Sequence, residues 1–216
     1  MFHFLKKNFT RSGNIEKDIV KKYFNKTQSL MFDKKAASIE QDHISDFTKD
    51  YQCRTILDLG CGEGRYSHCF KNYEYYHGVD FSESFISNTE SSERRKFSCS
   101  DVVEFYEDKI YDTVLLIGLI TYLEDEDIKK MVNNIKGMMS SNSVVILRSV
   151  TLKDNGLKKI YYDSKKGLIN RLRFLKPRYQ IIRRTKDYEL ELFSSLRLLK
   201  MKEIPGTSYT LYSFAK

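Results

Sequence analysis

The chain has 216 residues, 37 basic and 29 acidic, and a formal net charge of +8. That length suits one domain and is too short for two ordinary ones, and 41% hydrophobic with 13% aromatic residues excludes a globally disordered chain. Two prolines and ten glycines exclude a collagenous or low-complexity protein, and the longest apolar run, Val114–Ile120 broken only by Gly118, is far too short to span a membrane.

In chain order, Met1–Leu5 is apolar too briefly for a secretory signal before Lys6 and Lys7. Residues 14–50 read as helical, with Ile15, Ile19, Val20, Tyr23 and Phe24 near helical spacing. Thr55–Leu59 then reads as a buried strand, followed by strands at Tyr75–Val79, Lys96–Cys99, Tyr111–Ile117 and Ser143–Arg148. Helices fit between them at Arg65–Asn72, Glu83–Ser91 and Glu124–Met139. Such alternation with short links predicts a doubly wound, mostly parallel α/β sheet. A basic segment, residues 151–186, interrupts the rhythm. A helix near Asp187–Leu196 follows, then strands near Leu198–Ile204 and Ser208–Phe214, which the Pro205–Gly206 turn makes an antiparallel hairpin. The four cysteines, Cys53, Cys61, Cys69 and Cys99, form no CxxC and no cluster with histidine. No metal site or disulfide framework is expected, and a reducing cytoplasm is the natural compartment.

The charge is concentrated. Residues 151–186 hold twelve basic side chains against Asp154 and Asp163, a net +10, whereas the rest of the chain sums to −2. A patch of this kind suits an anionic partner: a phosphorylated small molecule, nucleic acid or a membrane surface.

The densest chemical signal is Ile56-Leu-Asp58-Leu-Gly60-Cys61-Gly62-Glu-Gly64, at the passage from the first strand to the next element. Glycines there let a ligand approach the main chain. A dinucleotide-binding fingerprint would need Gly or Ala at position 65, where Arg65 stands, and no Gly-Lys-Ser/Thr follows to make a phosphate-binding P-loop. This stretch resembles the first motif of class I S-adenosylmethionine-dependent methyltransferases, an apolar pair, an acid, an apolar residue and GxGxG. Residues 56–64 match it at every position. Gly78-Val-Asp80-Phe81-Ser82, Ser100-Asp101-Val102 and Tyr111–Leu123 follow as the second, third and fourth strand motifs. The resemblance runs from about residue 54 to the C-terminus, apart from the basic segment.

The resemblance implies a Rossmann-like, seven-stranded methyltransferase fold in one domain, residues 1–216. Residues 1–50 would be a helical lid, 54–150 the cofactor-binding core, 151–186 a substrate-recognition insertion, and 187–216 the final helix and hairpin. It implies S-adenosyl-L-methionine as cofactor. The main chain of Gly60, Cys61, Gly62 and Gly64 would lie under its methionine part, with Asp58 helping to hold the ammonium. Asp80 would accept from both ribose hydroxyls, since a carboxylate offers two oxygens. Phe81 would flank the adenine. Asp101 and the Val102 N–H would read its edge, Ile117 and Gly118 would border the sulfonium, and Tyr23 would help close the pocket.

The reaction itself needs positioning and a dry cleft, plus a proton acceptor if the nucleophile is neutral. Thr121 and Tyr122 stand where many relatives carry histidine, so Tyr122 and His43 are the candidate catalytic side chains. Arg148, Tyr162, Tyr179, Arg183 and Arg184 are the candidates for substrate, because an arginine can grip an acid group bidentately. The expected acceptor is an O or N atom of an anionic small molecule, such as a phosphorylated or nucleotide-linked sugar. Two alternatives stand beside it: an RNA methyltransferase clamping phosphates with residues 151–186, and a silent cofactor-binding or membrane-associated adaptor. The sequence is silent on oligomeric state.

Overall fold

The computed structural model describes residues 17–26, 34–70, 72–151 and 182–216. The central stretch of the basic segment, with Tyr162 and Tyr179, lies outside the described residues. Two N-terminal helices, α1 (Lys17–Lys26) and α2 (Lys34–Thr48), precede the sheet. Strands β1 (Thr55–Leu59), β2 (Tyr75–Asp80), β3 (Arg95–Cys99), β4 (Tyr111–Ile117) and β5 (Met139–Val150) follow, then β6 (Arg197–Glu203) and β7 (Tyr209–Ala215). Between the strands lie α3 (Glu83–Ile86), α4 (Asp125–Gly137) and α5 (Lys186–Leu192), with short 3-10 turns at Arg65–Cys69 and Ile120–Tyr122.

The sheet order is β3-β2-β1-β4-β5-β7-β6. Strands β1 to β5 pair in parallel, and β7 runs antiparallel to both β5 and β6. This is the doubly wound, seven-stranded arrangement expected, with the closing hairpin in place. The chain reverses its winding between β1 and β4, and open α/β sheets bind ligands beyond the carboxyl ends of the strands at such a point.

Each face of the sheet is sealed by apolar residues. In α4, Ile128, Met131, Val132 and Ile135 recur at helical spacing and pack beside Leu57, Val114 and Leu147. Asp125, Glu126 and Asp127 fill the first turn of α4, where carboxylates favour the helix dipole. On the other face Ile44 and Phe47 of α2 pack with Ile56, Leu115 and Ile146.

Two expected helices are shorter than the sequence suggests. The helix expected at Arg65–Asn72 is a 3-10 turn that ends at Cys69. The one expected at Glu83–Ser91 ends at Ile86, where Ser87 Oγ donates to Ser84 O and Thr89 Oγ1 to Ile86 O. Hydroxyls that bond nearby backbone compete with helix continuation. No helix among the described residues is long and apolar enough to cross a membrane. None of their His, Cys, Asp or Glu side chains groups in threes to hold a metal.

Candidate cofactor and acceptor cleft

A cavity of about 530 Å³ opens beyond the ends of β1, β2, β3 and β4. Its wall begins with the glycine loop. Gly60 N–H and Cys61 N–H both donate to Val79 O, at 2.8 and 3.1 Å, which turns the chain out of β1. Gly60, Cys61 and Gly62 line the cavity. Gly64 does not; it has φ +72°, and a Cβ there would come within 2.5 Å of the Phe97 ring. Its smallness accommodates Phe97 rather than a ligand, which corrects its expected place under the cofactor.

Asp80 ends β2 with its carboxylate buried. Oδ2 accepts from Gly62 N–H at 2.9 Å and Oδ1 from Ser82 N–H at 2.9 Å. Burial pushes its pKa up, and these N–H groups oppose that rise. Each oxygen has a second lone-pair direction, so the group can also accept from a vicinal diol. Phe81, Asp101 and Val102 continue the wall, followed by Ile117 and Gly118 from the end of β4. Asp101 Oδ1 accepts from Val103 N–H at 2.9 Å, which fixes the carboxylate at the start of its turn.

Asp58 stands behind this wall rather than in it. Its side chain is buried, Tyr76 Oη donates to Oδ2 at 2.5 Å, and Oδ1 has no hydrogen-bond partner. Burial pushes its pKa up to about 7. Tyr23 is also outside the wall, 44% exposed. Its neighbour Phe24 lines the cavity with Val20 of the same helix face, and it meets Tyr122, Phe85 and Phe81 edge-on at 5.2, 5.9 and 6.0 Å. The i, i+4 spacing of Val20 and Phe24 was the available signal.

At the other end stand Tyr122, Arg148 and Arg183. Burial raises the pKa of the Tyr122 phenol, which keeps it protonated at neutral pH. His43, on α2, does not line the cavity; Glu40, one turn earlier, turns inward and pairs with Arg148. The sequence reading missed Glu40, and also Arg65, Tyr66 and Tyr209, which line this end.

Arg184 corrects another expectation. Its side chain is 1% exposed and does not line the cavity. Nε and Nη2 donate to Asp125 Oδ1 at 2.9 and 2.7 Å, Nη1 to Ile120 O at 2.8 Å, and Nη2 also to Leu123 O at 2.7 Å. These bonds use the guanidinium to hold the turn after β4, so it is not available to a substrate. Arg183, next in sequence, is exposed at the cavity, and no side chain among the described residues pairs with it.

The chain is similar to known methyltransferases in sequence and in fold. A family model described as a methyltransferase domain matches residues 56–142. Phosphoethanolamine N-methyltransferase 1 of Triticum aestivum is 24% identical over 199 residues, covering 83% of this chain and 39% of that protein. Phosphoethanolamine N-methyltransferase 1 of Zea mays is 26% identical over 140 residues, covering 60% of this chain and 28% of that protein. The chain thus spans about two fifths or less of these relatives' length. Magnesium protoporphyrin IX methyltransferase from Synechocystis, solved with bound S-adenosylhomocysteine, superposes with a TM-score of 0.69 at 15% identity, over 93% of this chain and all of that one. The N-methyltransferase NodS of Bradyrhizobium japonicum gives 0.66 at 11% identity, over 92% and 99% of the two chains. These two likenesses are of fold.

Proposed function

We propose that the chain is a class I S-adenosylmethionine-dependent methyltransferase, which transfers a methyl group from S-adenosylmethionine to an O or N atom of an anionic small molecule. The observation that carries this is the Asp80 carboxylate. It is buried at the end of β2, tied to Gly62 N–H and Ser82 N–H, and turned into a cavity floored by the glycine loop.

The residues present fit the cofactor. Asp80 would hold the ribose diol, and Asp101 with Val102 would hold the adenine. The buried, unpaired Oδ1 of Asp58 is a natural counterpart for an ammonium. Phe24 and Phe81 supply apolar cover beside the adenosine. When bound, S-adenosylmethionine supplies a methyl group already activated on a sulfonium.

What remains for the protein is to bind, orient and exclude water. Among the described lining residues the only carboxylates are Asp80 and Asp101, both at the adenosine end. The acceptor end offers the Tyr122 phenol and guanidinium groups instead. This favours a nucleophile that reacts without a strong base, an anionic oxygen or an amine in its neutral form, with Tyr122 orienting it by its hydroxyl. The curated relatives carry phosphoethanolamine in their names, which agrees with an acceptor bearing an acid group.

The test is transfer of labelled methyl from S-adenosylmethionine to a panel of small acceptors and to RNA. Label on acid-bearing small molecules and none on RNA is the expected result. Label on RNA alone would overturn the acceptor assignment.

A further inference from the structure

Helix α2 reaches under the acceptor end of the cleft through Glu40. Glu40 and Arg148 form an ion pair, with side chains only 7% and 6% exposed. The Arg148 guanidinium is boxed in on its other sides. The Tyr209 ring lies 4.3 Å from Cζ, and Gly118 lies beside Nη1, where a Cβ would come within 3.1 Å. Arg148 lines the cavity, yet its buried Nε has no hydrogen-bond partner. A buried donor left unpaired is costly and marks a group built to meet something else.

Charge points the same way. Arg65 also lines this end, 3.9 Å from the second Glu40 oxygen, and Arg183 is exposed there. The guanidinium groups of Arg148, Arg65 and Arg183 thus converge on one end of the cavity.

We infer that Glu40 is a positioning residue for the acceptor. It holds Arg148 against Tyr209, so that the guanidinium anchors an oxyanion of the acceptor. The convergence of three guanidinium groups on this end favours a doubly charged group, such as a phosphate monoester, over a carboxylate. The identity of the ligand as methyl acceptor rests on the proposed methyl transfer; the clasp itself is a property of this chain.

Inorganic phosphate and acetate are the probes, titrated calorimetrically into the full chain with and without S-adenosylhomocysteine. The wild type is expected to bind phosphate saturably at pH 8, and acetate at least tenfold more weakly. Arg148→Gln is expected to weaken phosphate at least tenfold while leaving S-adenosylhomocysteine affinity within twofold. Variants of Glu40 separate orientation from charge. Glu40→Gln keeps an oxygen for Nη2 and removes a negative charge, so phosphate should bind as tightly as in the wild type or more tightly. Glu40→Ala removes the same negative charge and also the partner, and phosphate should bind at least tenfold more weakly. Should Glu40→Ala fail to fold, Glu40→Asp replaces it, with the same direction of loss because the carboxylate retreats by one methylene.

Equal phosphate affinity in the Glu40→Ala and Glu40→Gln proteins would overturn the positioning role. Unchanged phosphate binding in Arg148→Gln would overturn the clasp, and acetate binding as tightly as phosphate would overturn the charge argument. If S-adenosylhomocysteine fails to bind while the phosphate titrations behave as stated, the proposed methyl transfer fails and the clasp stands.

Discussion

Gly62 and Asp80 are joined by a 2.9 Å hydrogen bond from the Gly62 N–H to Asp80 Oδ2, although 18 residues separate them. The bond ties the glycine loop after β1 to the acid that ends β2. The neighbouring strands β1 and β2 run parallel, with Leu59 opposite Val79, so both features emerge at the same edge. One carboxylate therefore shapes the loop and presents its remaining lone pairs to the cleft.

If Asp58 holds the cofactor's ammonium from behind the glycine loop, as proposed, cofactor affinity should depend on pH. Its carboxyl has a folded pKa of about 7, above the ordinary 3.8, because burial penalises the charged form. Its contribution to stability is full below pH about 4 and is lost as pH rises through about 7. An ammonium beside Asp58 favours the carboxylate, so ligand binding pulls against that loss. S-adenosylhomocysteine should bind up to about tenfold more tightly at pH 8 than at pH 6. Calorimetry across this range checks it; Asp58→Asn should flatten the slope, and an unchanged slope in that variant contradicts the assignment.

Arg183 and Arg184 should respond oppositely to truncation. Arg184→Ala strips Asp125, Ile120 O and Leu123 O of a buried donor, and should cost about 3 kcal/mol of stability. Arg183→Ala removes an exposed side chain and should cost less than about 0.5 kcal/mol. Urea unfolding of the two variants measures both; equal losses would contradict the placement of the pair.

Phe24 and Tyr23 make a second neighbouring contrast. Phe24→Ala removes an aromatic contact from Phe81, Phe85 and Tyr122. It should weaken S-adenosylhomocysteine binding about tenfold, whereas Tyr23→Ala should leave it within about twofold. Fluorescence or calorimetric titration distinguishes them, and a larger effect at Tyr23 would reverse the assignment.

These contrasts mark what the sequence could convey. The succession of strands, the closing hairpin and the clustering of Gly60, Asp80, Asp101 and Gly118 at one edge were legible, because each strand end carries its own local motif. Helix phase was less legible. Tyr23 and Phe24 differ by one step around α1, and Glu40 and His43 by one turn along α2, so a pattern that identifies the helix does not by itself identify its inward face. The fate of Arg184 depends on Asp125, 59 residues earlier, and on two backbone carbonyls. No local pattern encodes that meeting. The burial of Arg148 against Glu40 is a contact of the same long-range kind.

The most direct test of the central claim is a calorimetric titration of S-adenosylhomocysteine into the wild-type chain and into Asp80→Ala. Saturable binding at one site in the wild type, weakened at least tenfold in Asp80→Ala, is the expected result. That loss corresponds to at least about 1.4 kcal/mol. No binding to the folded wild-type chain, or equal binding by both proteins, would contradict the account.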